Sequence, residues 1–267
     1  MSKYISIFKI SFAQEFAYRA NFIMWRVRNL MQFILVFFLW DAAFVRPNQT
    51  LFGYTQDQIA TYIFGLLIVR AIVLSVRSNE IASEIARGDL SNYLVKPFSY
   101  FRYWWTRDIS SKALNIIFAS VEFLILYLIL KPQLYFQTDP VYITSFLIVL
   151  GLAVVIYFIL LLIASAVPFW WPENAWGAHF LLTVIFVEFL SGAIFPLDVL
   201  PEQLLTVLSY TPFPYLIFFP IKVYLGQVAY IVIIKGILVS VVWCVMLYVL
   251  VKKVWRKGLM VYQSHGR

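Results

Sequence analysis

Residues 77–107 read RSNEIASEIARGDLSNYLVKPFSYFRYWWTR, the longest strongly polar segment in an otherwise oily chain. Five residues are basic (Arg77, Arg87, Lys96, Arg102, Arg107) and three are acidic (Glu80, Glu84, Asp89). Ile81, Ile85 and Leu94 fall at helical spacings, so one face is apolar and the rest is charged. Gly88 suits a helix stop and Pro97 a break. An amphipathic helix of this kind, held between two membrane spans, needs a surface to rest on. The choices are lipid, the protein's own core, or a soluble partner.

The surrounding composition requires a membrane. Of the 267 residues 63% are hydrophobic and 13% charged, against about 45–50% and about 25% in soluble domains. Too few polar residues remain to cover a soluble surface. The length suits about six spans with short loops and leaves no room for an added catalytic domain. The net charge of +8 is read as membrane topology and not as nucleic-acid binding. Cys244 is the lone cysteine and sits in an apolar run, which points to packing. His179 and His265 lack partners at metal-ligand spacing, so no metal site is assigned. The first apolar run suits a retained span better than a removable signal peptide. Asn48-Gln-Thr50 matches a glycosylation sequon, a match short enough to arise by chance.

In chain order, residues 1–20 predict an interfacial helix. Phe8, Phe12 and Phe16 form one stripe, with Lys3 and Lys9 on the wet side. Spans follow at about 21–44, 59–76, 109–130, 141–167, 175–195 and 228–251, each near the twenty or so residues that a bilayer requires. Arg26 and Arg28 mark the basic end of the first. The loop with Arg46, Pro47, Asn48 and Gly53 has turn chemistry. No charge interrupts residues 141–167. Between span five and span six, residues 196–226 stay apolar yet carry prolines at 196, 201, 212, 214 and 220. That density forbids a continuous span and suggests two short helices dipping into the bilayer, sheltered by protein. Trp25, Trp104, Trp105, Trp170, Trp171, Trp176 and Trp255 fall near the ends of spans, as aromatic belts do.

Basic residues set the orientation. Lys3, Lys9, Arg19, Arg26 and Arg28 cluster at the start. Arg77, Arg87, Lys96, Arg102, Arg107 and Lys112 cluster around the polar loop, and Lys252, Lys253, Arg256, Lys257 and Arg267 at the end. Only Arg46, Lys131, Lys222 and Lys235 fall opposite. This bias places the loop and both termini in the cytosol, which needs an even number of spans.

Arg70, Glu122 and Glu188 lie deep in predicted spans. A charge there costs at least about 2.5–3.5 kcal/mol on insertion scales, so each faces the bundle interior or water. An Arg–Glu pair, a substrate path, a proton relay and snorkelling of Arg70 all fit. No phosphate-binding loop, Ser/His/Asp arrangement or acidic metal cluster is present. An engine must therefore lie on another chain or in an ion gradient.

Three stretches, KISFAQEFAYRANF at 9–22, EIARGDLSNYLVKP at 84–97 and SGAIFPLDVLP at 191–201, resemble the permease subunit of type-2 ATP-binding-cassette (ABC) exporters, in a bacterial branch of uncharacterised permeases. The resemblance covers nearly the whole chain. It implies an all-α integral membrane protein of six transmembrane helices in the bacterial cytoplasmic membrane. It implies partner ABC ATPase subunits, which hold ATP and Mg, and a second permease, identical or not. It implies that Glu80, Ile81, Glu84, Ile85, Arg87, Gly88, Asp89, Leu90 and Leu94 dock a coupling helix on an ATPase. It further implies that Pro196, Pro201, Pro212 and Pro214 shape an outer gate. No cofactor is expected on this chain, and no nucleic acid. A gradient-driven secondary transporter is the alternative, for which inverted repeats with broken helices at mid-membrane are expected.

Overall fold

The computed structural model describes residues 2–17, 19–44, 49–78 and 80–262, and their side chains apart from 2, 16–17, 19–22 and 25. The side chains of Phe16, Arg19 and Trp25, together with Arg46, Pro47, Asn48, His265 and Arg267, lie outside that description. Among the described residues the fold is helical, with one isolated bridge between Leu51 and Tyr54. The helices are α1 (Ser2–Ala17), α2 (Arg19–Ala43), α3 (Gln56–Val73), α4 (Glu80–Ala86), α5 (Ser91–Leu94), α6 (Tyr100–Leu130), α7 (Pro140–Ala164), α8 (Ala175–Phe180), α9 (Glu188–Leu190), α10 (Glu202–Ser209), α11 (Phe218–Tyr224) and α12 (Tyr230–Val261). A π-helical stretch, Leu181–Val187, joins α8 to α9 in one continuous rod.

Local chemistry explains the ends. Asp139 caps α7 by accepting from Val141 N at 2.8 Å, with Pro140 at the first helical position. Thr55 N donates to Gln58 Oε1 at 3.1 Å at the start of α3. Lys131 ends α6 in the left-handed region, and its N–H donates to Tyr127 O at 2.9 Å.

Two helices form the centre. Tyr62, Phe64, Val69 and Val73 of α3 are fully buried, because α3 is enclosed by α2, α6, α7 and α11. α7 runs parallel to α12: Tyr142 meets Tyr230 at the start of both helices, and Trp255 Nε1 donates to Leu162 O at 2.9 Å near the end of both. The molecule thus has a loop end, holding residues 74–99, and an opposite end, holding residues 49–55, 131–139 and 196–229.

Among the described residues four helical stretches are long and apolar enough to cross a membrane: 56–73, 100–130, 140–169 and 230–261. α2 is interrupted by Arg26 and Arg28, and the rod from α8 to α9 ends at Leu190. α6 begins at Tyr100, so Arg102 and Arg107 belong to a helix where a loop was expected. α12 continues through the expected tail to Val261. Trp104 and Trp255 pack inward and are not belt residues. α1 is helical as predicted and lies along α6, with Ser110 Oγ donating to Phe8 O at 3.1 Å.

Candidate functional site

The loop end is built around Asp108. Its carboxylate is fully buried and accepts from Arg77 N at 2.6 Å, Ser78 N at 2.9 Å and Ser78 Oγ at 2.9 Å. One turn on, Lys112 Nζ donates to Val73 O at 3.0 Å and Ser75 O at 2.8 Å. It therefore caps the last carbonyls of α3, where a cation also answers the helix dipole. Ser165 Oγ donates to Ser78 O at 3.3 Å and stands 3.0 Å from His179 Nε2. Arg77 meets Glu15 of α1 at 3.4 Å and Glu80 at 3.1 Å, and Arg107 meets Glu80 at 3.1 Å. One short loop is thus tied to α1, α3, α4, α6, α7 and α8. Among the described residues His179 Nδ1 has no hydrogen-bond partner, so no carboxylate there orients it against Ser165 and the pair lacks the third member of a triad. Among the described residues no group of three His, Cys, Asp or Glu is placed to hold a metal.

This junction went unseen in the sequence, where Lys112 counted only as a basic loop marker. The one available signal was the Asp108–Lys112 spacing, which puts both on one face of a helix. Asp108→Asn is expected to destabilise the fold by about 1.5–3 kcal/mol, the worth of a hydrogen bond to a buried charge. Detergent-solubilised protein titrated with SDS measures it. An unchanged midpoint contradicts the role of Asp108 as anchor of the loop.

The segment that follows is two short helices and not one. Gly88 sits at φ +81°, and Asp89 N donates to Glu84 O at 2.9 Å, which stops α4. Ile81, Ile85 and Leu90, expected to dock on an ATPase, are buried in the chain's own core, with α4 packed against residues 167–180. Apolar side chains of a short helix covered by residues 167–180 gain more by packing inward than by facing water. Glu84 is also covered and accepts from Tyr100 OH at 2.7 Å. Burial raises its carboxyl above the ordinary range, against the pull of that hydroxyl. The outward surface is different. Arg87 and Asp89 are exposed and paired at 3.2 Å, Glu80 is partly exposed, Leu94 is 51% exposed and Val95 84%. A shallow groove runs between Arg87, Asp89, Asn92, Tyr93, Val95 and Lys96.

The deep charges form two pairs. Arg70 meets Glu188 through NH2–Oε1 at 2.6 Å and NH1–Oε2 at 3.2 Å, and Gln32 Nε2 adds a third contact at 3.4 Å. Glu122 does not join Arg70. It takes Arg26 in a fork of two 2.7 Å bonds, with Asn115 Oδ1 3.4 Å from the same guanidinium. Arg26 is buried, so it is not the solvated boundary marker that its position suggested.

At the opposite end, Asp198 accepts from Tyr54 OH at 2.5 Å and Lys222 Nζ at 2.6 Å. Pro196, Pro212 and Pro214 are buried and Pro201 is exposed. The expected pair of short helices is present as α10 and α11. α11 is buried between α3 and α7, whereas α10 leaves Leu204, Val207 and Tyr210 exposed.

Long apolar helices, forked charge pairs within them and a loop locked at one end define a polytopic membrane protein. A family model described as ABC-2 family transporter protein matches residues 30–266. The chain belongs to that family: it is an ABC-2 type permease, a membrane transport component, and the family implies association with ABC ATPase subunits. Comparison with curated proteins gave no match.

Proposed function

We propose that the chain is the membrane-spanning subunit of an ATP-driven exporter, with six spans, both termini cytosolic, in a bacterial cytoplasmic membrane. A second permease, identical or similar, completes the substrate path. α2 counts as a span because Glu122 neutralises Arg26, and the rod from α8 to α9 counts because bends at 191–195 lengthen it. Residues 196–226 are re-entrant. In support, Trp243 Nε1 donates to Tyr210 O at 3.2 Å, and Trp243 lies about 20 Å along α12 from Tyr230 at about 1.5 Å per residue.

The observation that carries this reading is the exposed strip Arg87, Asp89, Leu94, Val95 and Lys96, standing on a loop that Asp108 ties to the transmembrane helices. An ATPase gripping that strip moves the helices below it. Nucleotide-driven closure then favours one arrangement of the permeases by its differential contacts with the two arrangements. Ile81, Ile85 and Leu90 serve as the hinge packing, and the pairs Arg70–Glu188 and Arg26–Glu122 hold helices together beside the path.

The test is affinity purification of tagged protein from its native membrane. Leu94→Asp with Val95→Asp, both on exposed positions, is expected to keep the unfolding midpoint and reduce ATPase recovery at least tenfold. Full recovery overturns the docking strip. Absence of any ATPase with the wild-type chain under gentle detergent favours a gradient-driven transporter.

A further inference from the structure

The loop-end portion of α12 has two faces. Val251, Trp255 and Gly258 are buried, and Tyr262 OH accepts from Ser91 N at 3.3 Å. On the other face Lys252, Lys253, Arg256 and Lys257 are all exposed. Trp255 packs on Phe101 at 4.9 Å, and the next residue of α6, Arg102, is exposed at the same end of the molecule. Among the described residues none of these five makes an ion pair. By contrast Arg26, Arg70, Arg77, Arg107 and Lys222 each meet a carboxylate. The fold neutralises its inner cations and leaves this band for an anion from outside.

Depth selects the anion. α12 has 32 residues, or about 48 Å at about 1.5 Å per residue. A bilayer is about 30 Å thick in hydrocarbon and about 40–45 Å with its headgroups. With Tyr230 at one surface, residues 252–257 stand about 33–40 Å along the helix, in the opposite headgroup layer. Lys252 Nζ lies 4.3 Å over the Tyr248 ring, an aromatic at the interface of the kind that marks this depth.

We propose that Lys252, Lys253, Arg256 and Lys257, with Arg102 at the same end of the molecule, form a binding site for anionic phospholipid headgroups. Each basic residue near a membrane surface contributes about fivefold in affinity for anionic lipid. The proposal requires neither an ATPase nor a particular orientation of the chain, so it stands or falls apart from the exporter reading.

The test is a titration of the purified full-length protein, in neutral detergent, with fluorescent phosphatidylglycerol and with fluorescent phosphatidylcholine, followed by anisotropy. Phosphatidylglycerol is expected to bind at least fivefold more tightly, with the advantage shrinking as salt rises. Changing Lys252, Lys253, Arg256 and Lys257 together to Gln abolishes the preference. Changing the three lysines to Arg retains it, which separates charge from misfolding. Equal affinity for the two lipids in the wild-type chain overturns the proposal. So does a preference that survives the Gln variant.

Discussion

Glu188→Gln is expected to destabilise the folded protein by about 3–5 kcal/mol, the cost of leaving one member of a buried ion pair alone. Arg70 then keeps its full charge, and its remaining described acceptor is Ala193 O at 3.4 Å. Around it lie the apolar side chains of α3 and the fully buried Tyr157. The amide oxygen that replaces the carboxylate holds a single weaker bond where two charge-assisted ones stood. Arg70→Met alone strands Glu188 in the same way. The double variant Arg70→Met with Glu188→Met removes both charges and is expected to recover most of the loss, because replacing a whole buried pair by apolar groups is often neutral. SDS-driven unfolding of the four proteins completes the cycle. Additive effects, with the double variant worse than either single one, rule out the pair as a structural unit. A double variant that folds yet does not transport assigns the pair to the path as well.

Gly258→Val carries the second large effect. A Cβ at Gly258 meets Phe169 Cδ2 at 2.2 Å and Cγ at 2.6 Å. The ring cannot step aside. It is held edge-on by Trp255 at 5.2 Å, Tyr262 at 5.9 Å and Trp170 at 6.0 Å. The end of α12 must lift away from residues 167–169, at a cost of about 1–3 kcal/mol for overpacking a tight contact. Lifting also breaks the Tyr262–Ser91 bond and frees α5. Amide hydrogen exchange is expected to rise in residues 88–96 and 252–262 while the centre of α7 stays protected. Protection unchanged in both segments contradicts the contact.

The helical scaffold was legible because hydropathy writes it directly. Residues 141–167 carry no charge, and α7 appears there with its Asp139 cap and Pro140 start. The prolines between 196 and 226 likewise announced short helices. Arg70 announced a need for a partner, and Glu188 was one of two candidates. What stayed hidden depends on contacts between distant residues. Nothing local links Arg26 to Glu122, and counting basic residues at span ends treats each one as solvated. Arg107 read as loop and Asp108 went unremarked because polar residues crowd 100–112, yet their polar atoms meet other elements. Ile81 and Ile85 were correctly placed on one helical face. What covers that face is tertiary information, and it is the chain's own residues 167–180.

The two forked pairs also set a schedule. Arg26 emerges from the ribosome 96 residues before Glu122, and Arg70 emerges 118 residues before Glu188. At about 5–20 residues per second each arginine waits roughly 5–25 s for its carboxylate. A lone arginine at mid-membrane is unfavourable by at least about 2.5–3.5 kcal/mol, so α3, long and apolar enough to cross, carries an unanswered charge at Arg70 when first made. Arg26 is answered only when α6 brings Glu122, and Arg70 only when α9 brings Glu188.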